Sequence, residues 1–350
     1  MDQKRSWSCD QAATSSLHSK RQKSSISDSE NAILRKQYTI AWISALPIEM
    51  AAARAMLDKI DTNLPQDDHD NNTYMLGSIG SHKIVIACLP MGQYGNNNAT
   101  SVVTNLRRSF SSIKIGFMVG IGGGVPTKVD LRLGDIVVGI RVMPYDLGKV
   151  IEGGKVQRTG SPRFPDQALL TAVSCIRAKH LLEPSRRVSS ILADMTAKYP
   201  RFSFPTSPDR LFPPTYSHDP RLSSCSECDQ SKLLPGSRRV ANNPEIHYGA
   251  IASGNHVMKD SATRDEVAGE FEIICFEMEA AGLMGILPCL PIRGICDYAD
   301  SHKSKEWQEY AAATAAAYAK ELIEILPSNN EVFKNLSIRN AREFIPVRPW

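Results

Sequence analysis

Short, almost continuously apolar runs alternate along this chain with segments whose apolar residues recur at helical spacing. The apolar runs predict β-strands that are covered on both faces, because a strand with one wet face would alternate apolar and polar side chains. The predicted strands are YTIAWISAL, HKIVIACLP, IKIGFMVGIGG, GDIVVGIRV, IHYGAIAS, EIICFEM and LPIRGICDYAD. The predicted helices lie between them, at residues 48–60, 96–110, 165–180, 262–271, 279–286 and 306–326. This order predicts an α/β fold with a twisted, mixed and largely parallel sheet flanked by helices.

Three polar segments interrupt or flank this pattern. Residues 1–36 are rich in Ser, Lys, Gln and Asp and too poor in apolar residues to offset the entropy of ordering, so they are predicted to be a disordered tail. Residues 183–243 carry many Pro, Ser and Arg without a sustained period, and are predicted to be one long insertion, either a functional lid or a disordered loop. The folded unit is expected to span residues 37–327, followed by a polar tail at 328–350.

Composition narrows the class of protein. The 350 residues are 42% hydrophobic and carry a net charge of +4 with the charged residues dispersed, which favours a globular enzyme over a nucleic-acid-binding protein. The eight cysteines are scattered, several inside apolar runs, as expected of free thiols in a reducing compartment. The sequence has neither an apolar signal segment at its start nor a run of about 18 apolar residues, so a cytoplasmic protein that does not bind membranes is expected.

Four groups of polar or glycine residues follow predicted strands, and ligands bind at the carboxyl ends of strands in open α/β sheets. The groups are Glu49; the glycine run Gly120, Gly122, Gly123 and Gly124; the pair Glu277 and Glu279; and Arg293 with Asp297 and Asp300. Three of these groups have an ordinary alternative. Gly122 and Gly123 could contact a substrate through the backbone, but a glycine run is as often a tight turn. The two glutamates suit a helix N-terminus, and the aspartates can cap strand ends. The glycine run is not a dinucleotide-binding motif, because PTKVDLRLGD follows where that motif would open a helix. Several carboxylates beside one arginine still exceed what a core needs and indicate an active site.

The longer motifs around these groups resemble the nucleoside phosphorylase and nucleosidase superfamily. Within it, the motifs HYGAIASGN, VMKD, CFEMEAAGL and RGICDYADSHK are most similar to the phosphorylase-like domains of fungal NACHT and NB-ARC immune-receptor proteins. The resemblance runs from about residue 38 to residue 326 and leaves the insertion uncovered. It implies a twisted mixed sheet, assembly into homo-oligomers, and cleavage of the N-glycosidic bond of a purine nucleoside or nucleotide without a cofactor.

The resemblance also assigns roles to particular residues. Asp297 matches the acid that protonates the purine at N7, a role that requires a carboxyl group that is protonated near neutral pH. Glu279 matches the residue that binds the ribose hydroxyls, and Met278 matches the one that packs against the sugar. Val257 and Met258 match the stretch whose backbone contacts the purine edge.

Glu49 helps to distinguish hydrolysis from phosphorolysis as the reaction that this chain catalyses. Phosphorylases of the superfamily hold phosphate with arginines near the first strand and before the glycine run, but the corresponding segments here, ALPIEM and MVGIGGG, carry no basic residue. Glu49 stands where the nucleosidases keep the carboxylate that activates water, and a carboxylate repels phosphate but accepts a proton from water. Arg293 matches the arginine that helps to position this carboxylate and the water, whereas Ile121 replaces a serine of the methylthioadenosine nucleosidases. The sequence therefore predicts hydrolysis, with Glu49, Arg293 and Asp297 as catalytic residues.

The segment after Asp297 bears on the substrate. Methylthioadenosine-type nucleosidases close the 5′ end of the sugar with apolar side chains, whereas DSHKSKEW places His302, Lys303 and Lys305 before Trp307, which matches an aromatic residue of that pocket. Charged side chains suit phosphates better than a thioether, although a solvated loop before a helix would have the same composition. The sequence favours an adenine nucleotide, with ATP as the leading candidate. A hydrolase or phosphorylase of unphosphorylated purine nucleosides, and a nucleotide-sensing effector module without turnover, stay open as alternatives.

The insertion offers a second group of candidate ligands. Cys225 and Cys228 form a Cys-x-x-Cys pair with His218 upstream, but three ligands are one fewer than a closed structural zinc site needs. Two exposed thiols in a polar loop are the simpler interpretation, and no bound metal is expected. The insertion also contains three candidates for contacting substrate phosphates, Arg210, Arg238 and Arg239.

Overall fold

A mixed β-sheet organises the part of the chain that the computed structural model describes, residues 30–67, 69–183, 186–235 and 243–327. The strands are β1 (Ile40–Ser44), β2 (Lys59–Ile60), β3 (Tyr74–Ile79), β4 (His82–Cys88), β5 (Ile115–Gly124), β6 (Ile136–Pro144), β7 (Gly148–Val150), β8 (Val156–Arg158), β9 (Ile246–Ser253), β10 (Ile273–Glu277) and β11 (Cys289–Asp297). Within the described residues, nine of them form one sheet in the order β10-β9-β6-β11-β5-β1-β4-β3-β2, and β7 pairs with β8.

Helices cover both faces of this sheet. They are α1 (Pro47–Met56), α2 (Asn96–Ser109), α3 (Gln167–Leu182), α4 (Arg186–Lys198), α5 (Ser261–Phe271), α6 (Ala280–Leu283) and α7 (Gln308–Ile325). On one face α1, α3, α4 and the alanine-rich α7 share an apolar core with alternate residues of β1, β4 and β5. On the other face α2 and α6 pack against the intervening residues of the same strands. The runs that predicted strands are almost continuously apolar because both faces of the sheet are largely buried.

Five of the strands close into a barrel. β5 is parallel to β11, β11 is antiparallel to β6, and β9 is parallel to both β6 and β10. β10 then returns antiparallel to β5, where Cys275 pairs with Gly124 and Phe276 with Gly123. β11 reaches the same place, because Asp297 also pairs with Gly123. The closure brings the ends of β5, β10 and β11 together, and the mixed sheet flanked by helices confirms the predicted fold class.

All seven predicted strands are present, but parts of the pattern were misjudged. The predicted helix 48–60 ends at Met56, and its last residues form β2 instead. Residues 186–198, expected to belong to an insertion without helical period, form α4. The apolar residues that this helix buries are spaced as one helical face, Val188, Ile191, Leu192 and Met195.

The predicted tails lie almost entirely outside the described residues. Of the segment 1–36, residues 30–36 are described, and residues 30–35 are helical. The segment 328–350 lies outside the described residues altogether. In the described part of the chain, every helix is too short or too polar to cross a lipid bilayer.

Candidate active site

A cavity of about 480 Å³ lies beside the ends of β1, β5, β10 and β11. All four groups singled out in the sequence contribute to its lining, through Glu49, Gly122, Gly123, Glu277, Glu279, Arg293 and Asp297. Asp300 is not among the lining residues. It accepts a hydrogen bond from the backbone N–H of His302 at 2.9 Å and lies 3.9 Å from the buried Arg264. The fold therefore gathers the candidate catalytic groups in one place.

Glu49 lies in the first turn of α1, with its carboxylate buried in the cavity wall. Its Oε2 accepts hydrogen bonds from the backbone N–H groups of Ala45 at 2.7 Å and Leu46 at 2.9 Å, and its Oε1 accepts one from Ile121 at 2.8 Å. A carboxylate has about four acceptor positions, so one is left for a water molecule. Gly120 leaves room for Oε1, which a Cβ at that position would overlap. Burial raises the pKa of Glu49, partly offset by the neighbouring arginine and the three N–H donors, and this moves the group towards the range in which a general base works best.

Arg293 is buried between two carboxylates. Its Nη2 forms a short ion pair with Glu277 and lies 3.5 Å from Oε2 of Glu279, and its Nη1 lies 3.4 Å from the carbonyl oxygen of Ile121. In the described part of the chain, no nitrogen of Arg293 lies within 4 Å of the Glu49 carboxylate. The positioning of Glu49 by Arg293 stays a prediction, and the residue that both side chains contact is Ile121. Burial raises the pKa of Glu279 to about 7, with Arg293 opposing the shift and Glu277 adding to it. Because Arg293 is already paired with carboxyl groups, it offers little attraction to a phosphate dianion at this wall.

Asp297 ends β11, and each of its carboxylate oxygens accepts a hydrogen bond. The backbone N–H of Ala299 donates to Oδ1 at 2.9 Å, and Nζ of Lys303 donates to Oδ2 at 2.6 Å. Ala299 has a φ of 52°, in the left-handed region that non-glycine residues adopt at a cost, so the turn after β11 is strained. Lys303 lines the cavity, as predicted, but its ammonium is paired with Asp297, and contact with a phosphate stays a prediction. Its ammonium lies on Asp297 because that buried carboxylate would be costly without a counter-charge.

His302 and Trp307 lie outside the large cavity. The ring of His302 stacks on Phe212 of the insertion, with centroids 4.3 Å apart. Trp307 is 3% exposed and packs edge-to-face against Phe204 of the insertion at 5.1 Å and Tyr310 at 6.1 Å. In this structure neither ring is among the residues that line the cavity, which differs from the arrangement predicted for them. The reason is that aromatic residues of the insertion, which the resemblance does not cover, pack against them.

The other predicted contact residues do line the cavity. Together with Lys303, they are Gly122, Gly123, Val257, Met258, Met278, Glu279 and Lys305. Sequence reasoning missed several further lining residues, among them Tyr94, His256, Lys259, Phe276 and Gln308. Phe276 and Lys259 lie inside the motifs CFEMEAAGL and VMKD, and their position in these motifs could have indicated that they line the cavity. Tyr94 precedes α2 in a segment that no motif marks. The lining thus combines the acidic wall around Glu49 with lysines from two separate loops.

Four candidate ligands of the insertion are described, and none of them lines the large cavity; they are Arg210, His218, Cys225 and Cys228. Arg238 and Arg239 lie outside the described residues. Arg210 lines a smaller cavity with Asp300 and His302, and its Nη1 lies 3.9 Å from Oε2 of Glu306. The three potential metal ligands lie together beside His302; they are His218, Cys225 and Cys228.

The molecule is an α/β protein with a five-stranded barrel and buried carboxyl groups beside its strand ends. The chain is a member of the Phosphorylase superfamily, whose family pattern its sequence matches over residues 39–327. The membership inferred from the motifs is confirmed.

Three proteins illustrate the relationship. The chain is 42% identical over 301 residues to a nucleotide-binding leucine-rich repeat (NLR)-like protein of Hyaloscypha variabilis, an alignment that covers 83% of this chain and 30% of that protein. It is 25% identical over 294 residues to the ATP nucleosidase Cap17 of Escherichia coli, covering 81% of this chain and 50% of that protein. The chain therefore spans half or less of the length of these two relatives. A 5′-methylthioadenosine/S-adenosylhomocysteine nucleosidase of Neisseria meningitidis has a similar fold, with a TM-score of 0.54, 19% identity, and coverage of 82% of this chain and 98% of that chain.

Proposed function

We propose that this chain hydrolyses the N-glycosidic bond of an adenine nucleotide, with ATP as the favoured substrate, and releases adenine and a 5′-phosphorylated ribose. The observation that carries this proposal is the Glu49 carboxylate, buried in the cavity wall with three backbone N–H donors and one acceptor position left. A water molecule bound there can lose a proton to Glu49 while its oxygen attacks C1′ of the ribose. The acidic surroundings favour water over phosphate as the nucleophile.

The remaining groups complete the reaction. As the C1′–N9 bond breaks, its electron pair moves into the purine, and N7 takes a proton from the Asp297–Lys303 pair, in which Nζ donates to Oδ2 at 2.6 Å. Positive charge develops on the ribose in the transition state, and a carboxylate at Glu279 stabilises it while binding the hydroxyls. Phe276 and Met278, which also line the cavity, supply apolar surface for the base and the sugar.

Two observations support a phosphorylated substrate. Lys259 and Lys305 line the cavity from separate loops, and ammonium groups bind phosphate oxygens through strong, charge-assisted hydrogen bonds. A relative that aligns with 81% of this chain is named an ATP nucleosidase. A second relative is named NLR-like, so we further propose that the domain acts as the nucleotide-consuming effector of a larger immune receptor. Assembly into a homo-oligomer stays a prediction.

The test is a substrate screen in phosphate-free buffer. ATP, AMP, adenosine and methylthioadenosine are incubated with the protein, and free adenine is measured by chromatography. We expect adenine from ATP without added phosphate. Adenine that appears only with phosphate, together with ribose 1-phosphate, would show a phosphorylase. A preference for adenosine would indicate a nucleoside hydrolase, and nucleotide binding without any adenine would indicate a sensing module.

The lysines are tested separately. Lys259→Ala combined with Lys305→Ala should lower kcat/KM for ATP by roughly ten- to a hundredfold for each hydrogen bond lost, because such a bond contributes about 1.5–3 kcal/mol. Turnover of adenosine, which has no phosphate, should change little. Lys198→Ala, at the end of α4, is the matched control and should leave both substrates unaffected. An equal loss for ATP and adenosine in the double variant would refute the phosphate assignment.

A further inference from the structure

Four metal-ligating side chains meet where the insertion crosses the loop after β11. His218, Cys225 and Cys228 belong to the insertion, and His302 follows β11. Nδ1 of His218 lies 3.2 Å from Sγ of Cys228 and 3.6 Å from Sγ of Cys225. The ligand atoms of His218, Cys228 and His302 all lie within 4.8 Å of one another, and Sγ of Cys225 lies 3.4 Å from the carbonyl oxygen of His302. Both cysteines are free thiols.

The distances from His218 to the two sulfur atoms fit a tetrahedral zinc ion. Zinc binds sulfur at about 2.3 Å and imidazole nitrogen at about 2.0–2.1 Å, so a tetrahedral ion separates a nitrogen ligand from a sulfur ligand by about 3.6 Å. The two nitrogen–sulfur distances around His218 lie close to this value. Two cysteines at Cys-x-x-Cys spacing and two histidines are also a ligand set that closes a structural site. The fourth ligand, which the sequence of the insertion lacks, comes from outside it.

His302 has the surroundings of a histidine that binds metal. Its side chain is 5% exposed, and its Nε2 is buried with no hydrogen-bond partner in the described part of the chain. A buried polar nitrogen without a partner is unfavourable, and a metal ion at Nε2 would remove that cost. Its Nδ1 lies 3.8 Å from Oδ1 of Asp300, and histidine ligands commonly direct their second nitrogen at a carboxylate. Stacking on Phe212 fixes the ring plane.

We propose that His218, Cys225, Cys228 and His302 bind one zinc ion with a structural role. None of the four is among the residues that line the large cavity, and four protein ligands leave no open position for a substrate. The ion would fasten the insertion to the loop after β11, where the backbone N–H of His218 already donates to Oγ of Ser301 at 2.9 Å. Lys303, the partner of the predicted acid, is the next residue after His302, so the metal would also fix the segment that positions it.

The experiment measures metal in the full chain, purified without chelators from zinc-supplemented medium. We expect about one zinc ion per chain by elemental mass spectrometry, as for a closed four-ligand site. Cys225→Ser combined with Cys228→Ser should lose the zinc, and so should His302→Gln. Cys175→Ser, which changes an exposed cysteine on α3, is the matched control and should keep it. Cobalt in place of zinc should give the visible bands of a tetrahedral site and thiolate charge-transfer absorption.

A second measurement covers the case in which a ligand variant does not fold. Cys228→His keeps four donors and should retain zinc and solubility, whereas a chelator should lower the Tm of the wild type and added zinc, but not magnesium, should restore it. Three results would overturn the proposal: wild-type protein without zinc, unchanged zinc in the ligand variants, or a Cys225–Cys228 disulfide in the native protein.

Discussion

Replacing Glu49 by glutamine tests the water mechanism most directly, because the change keeps the shape of the side chain and removes its charge. In the wild type, two backbone N–H groups bind Oε2 and one, from Ile121, binds Oε1. In the variant, the amide oxygen of the glutamine side chain can take the place of Oε2, but its NH2 group then faces the N–H of Ile121. The hydrogen bond from Ile121 to a charged group is lost, and such a bond contributes about 1.5–3 kcal/mol. The substitution also removes the negative charge of Glu49, and burial disfavours the charged form of this group. The net change in the free energy of unfolding should thus be small beside a total of about 5–15 kcal/mol.

The loss of activity should be much larger than this. A general base contributes on the order of 10²–10⁴-fold, which is about 2.7–5.4 kcal/mol of barrier at 1.36 kcal/mol per decade. Adenine release from ATP in phosphate-free buffer gives kcat and KM, and thermal melting gives the stability of the same samples. Glu49→Gln should lower kcat by that factor while the Tm stays close to the wild-type value.

A second buried glutamate provides the control. Glu321 lies in α7 and binds Lys179 and His180 at 3.1 Å each, away from the residues that line the cavity. Glu321→Gln should lower the Tm and leave kcat unchanged. If Glu49→Gln keeps kcat within about threefold of the wild type, Glu49 is not the base. If its activity falls only as its folded fraction falls, Glu49 acts as a helix cap.

Two further predictions concern the neighbours of Glu49. Gly120→Ala should lower activity by roughly the same 10²–10⁴-fold, because the new Cβ overlaps Oε1 of Glu49 and lies 2.8 Å from Nη1 of Arg293. The control is Gly269→Ala, whose new Cβ has nothing within 4 Å; it should raise stability by about 0.5–1 kcal/mol and leave activity unchanged. Steady-state kinetics and thermal melting of both variants check these expectations. Burial raises the pKa of Glu279 from 4.5 to about 7, so its contribution to stability is complete below pH 4.5 and is lost as the pH rises through 7. Glu279→Gln should therefore reduce the decline in Tm between about pH 5 and pH 8, and an unchanged Tm profile would contradict the shift.

The fold was predictable because burial on both faces leaves a strong signal in the sequence. The seven predicted strands are almost continuously apolar, and all seven are present. The two-residue β2 was not predictable, since Lys59 and Ile60 are exposed and continue a helical pattern, and their pairing with β3 decides their conformation. α4 was missed although Val188, Ile191, Leu192 and Met195 show a helical period, because the surrounding prolines and serines suggested a single loop.

The site was predictable only as far as its residues follow strands. Glu49, Glu279 and Asp297 meet because strand ends meet, which the order of elements implies. The partner of each charged group was not predictable. Arg293 binds Glu277 rather than Glu49, and this pairing depends on the closure of β10 onto β5, for which the sequence carries no local signal. The orientation of the segment after β11 depends on an insertion that the resemblance does not cover.

The ion pair between Lys303 and Asp297 changes how any lysine variant in this segment must be interpreted. In this structure Nζ of Lys303 donates a hydrogen bond at 2.6 Å to the carboxylate of Asp297. The proposed role of Asp297 is to supply the proton at N7, so the ammonium is already paired with the proposed acid. Loss of that ammonium would disturb protonation of the base, which every purine substrate requires, and would slow ATP and adenosine alike. Only lysines that line the cavity without contacting the proposed catalytic carboxylates can separate a nucleotide from a nucleoside. We therefore expect Lys259 and Lys305 variants to report on discrimination between the two substrates, and a Lys303 variant to report on the proposed acid Asp297.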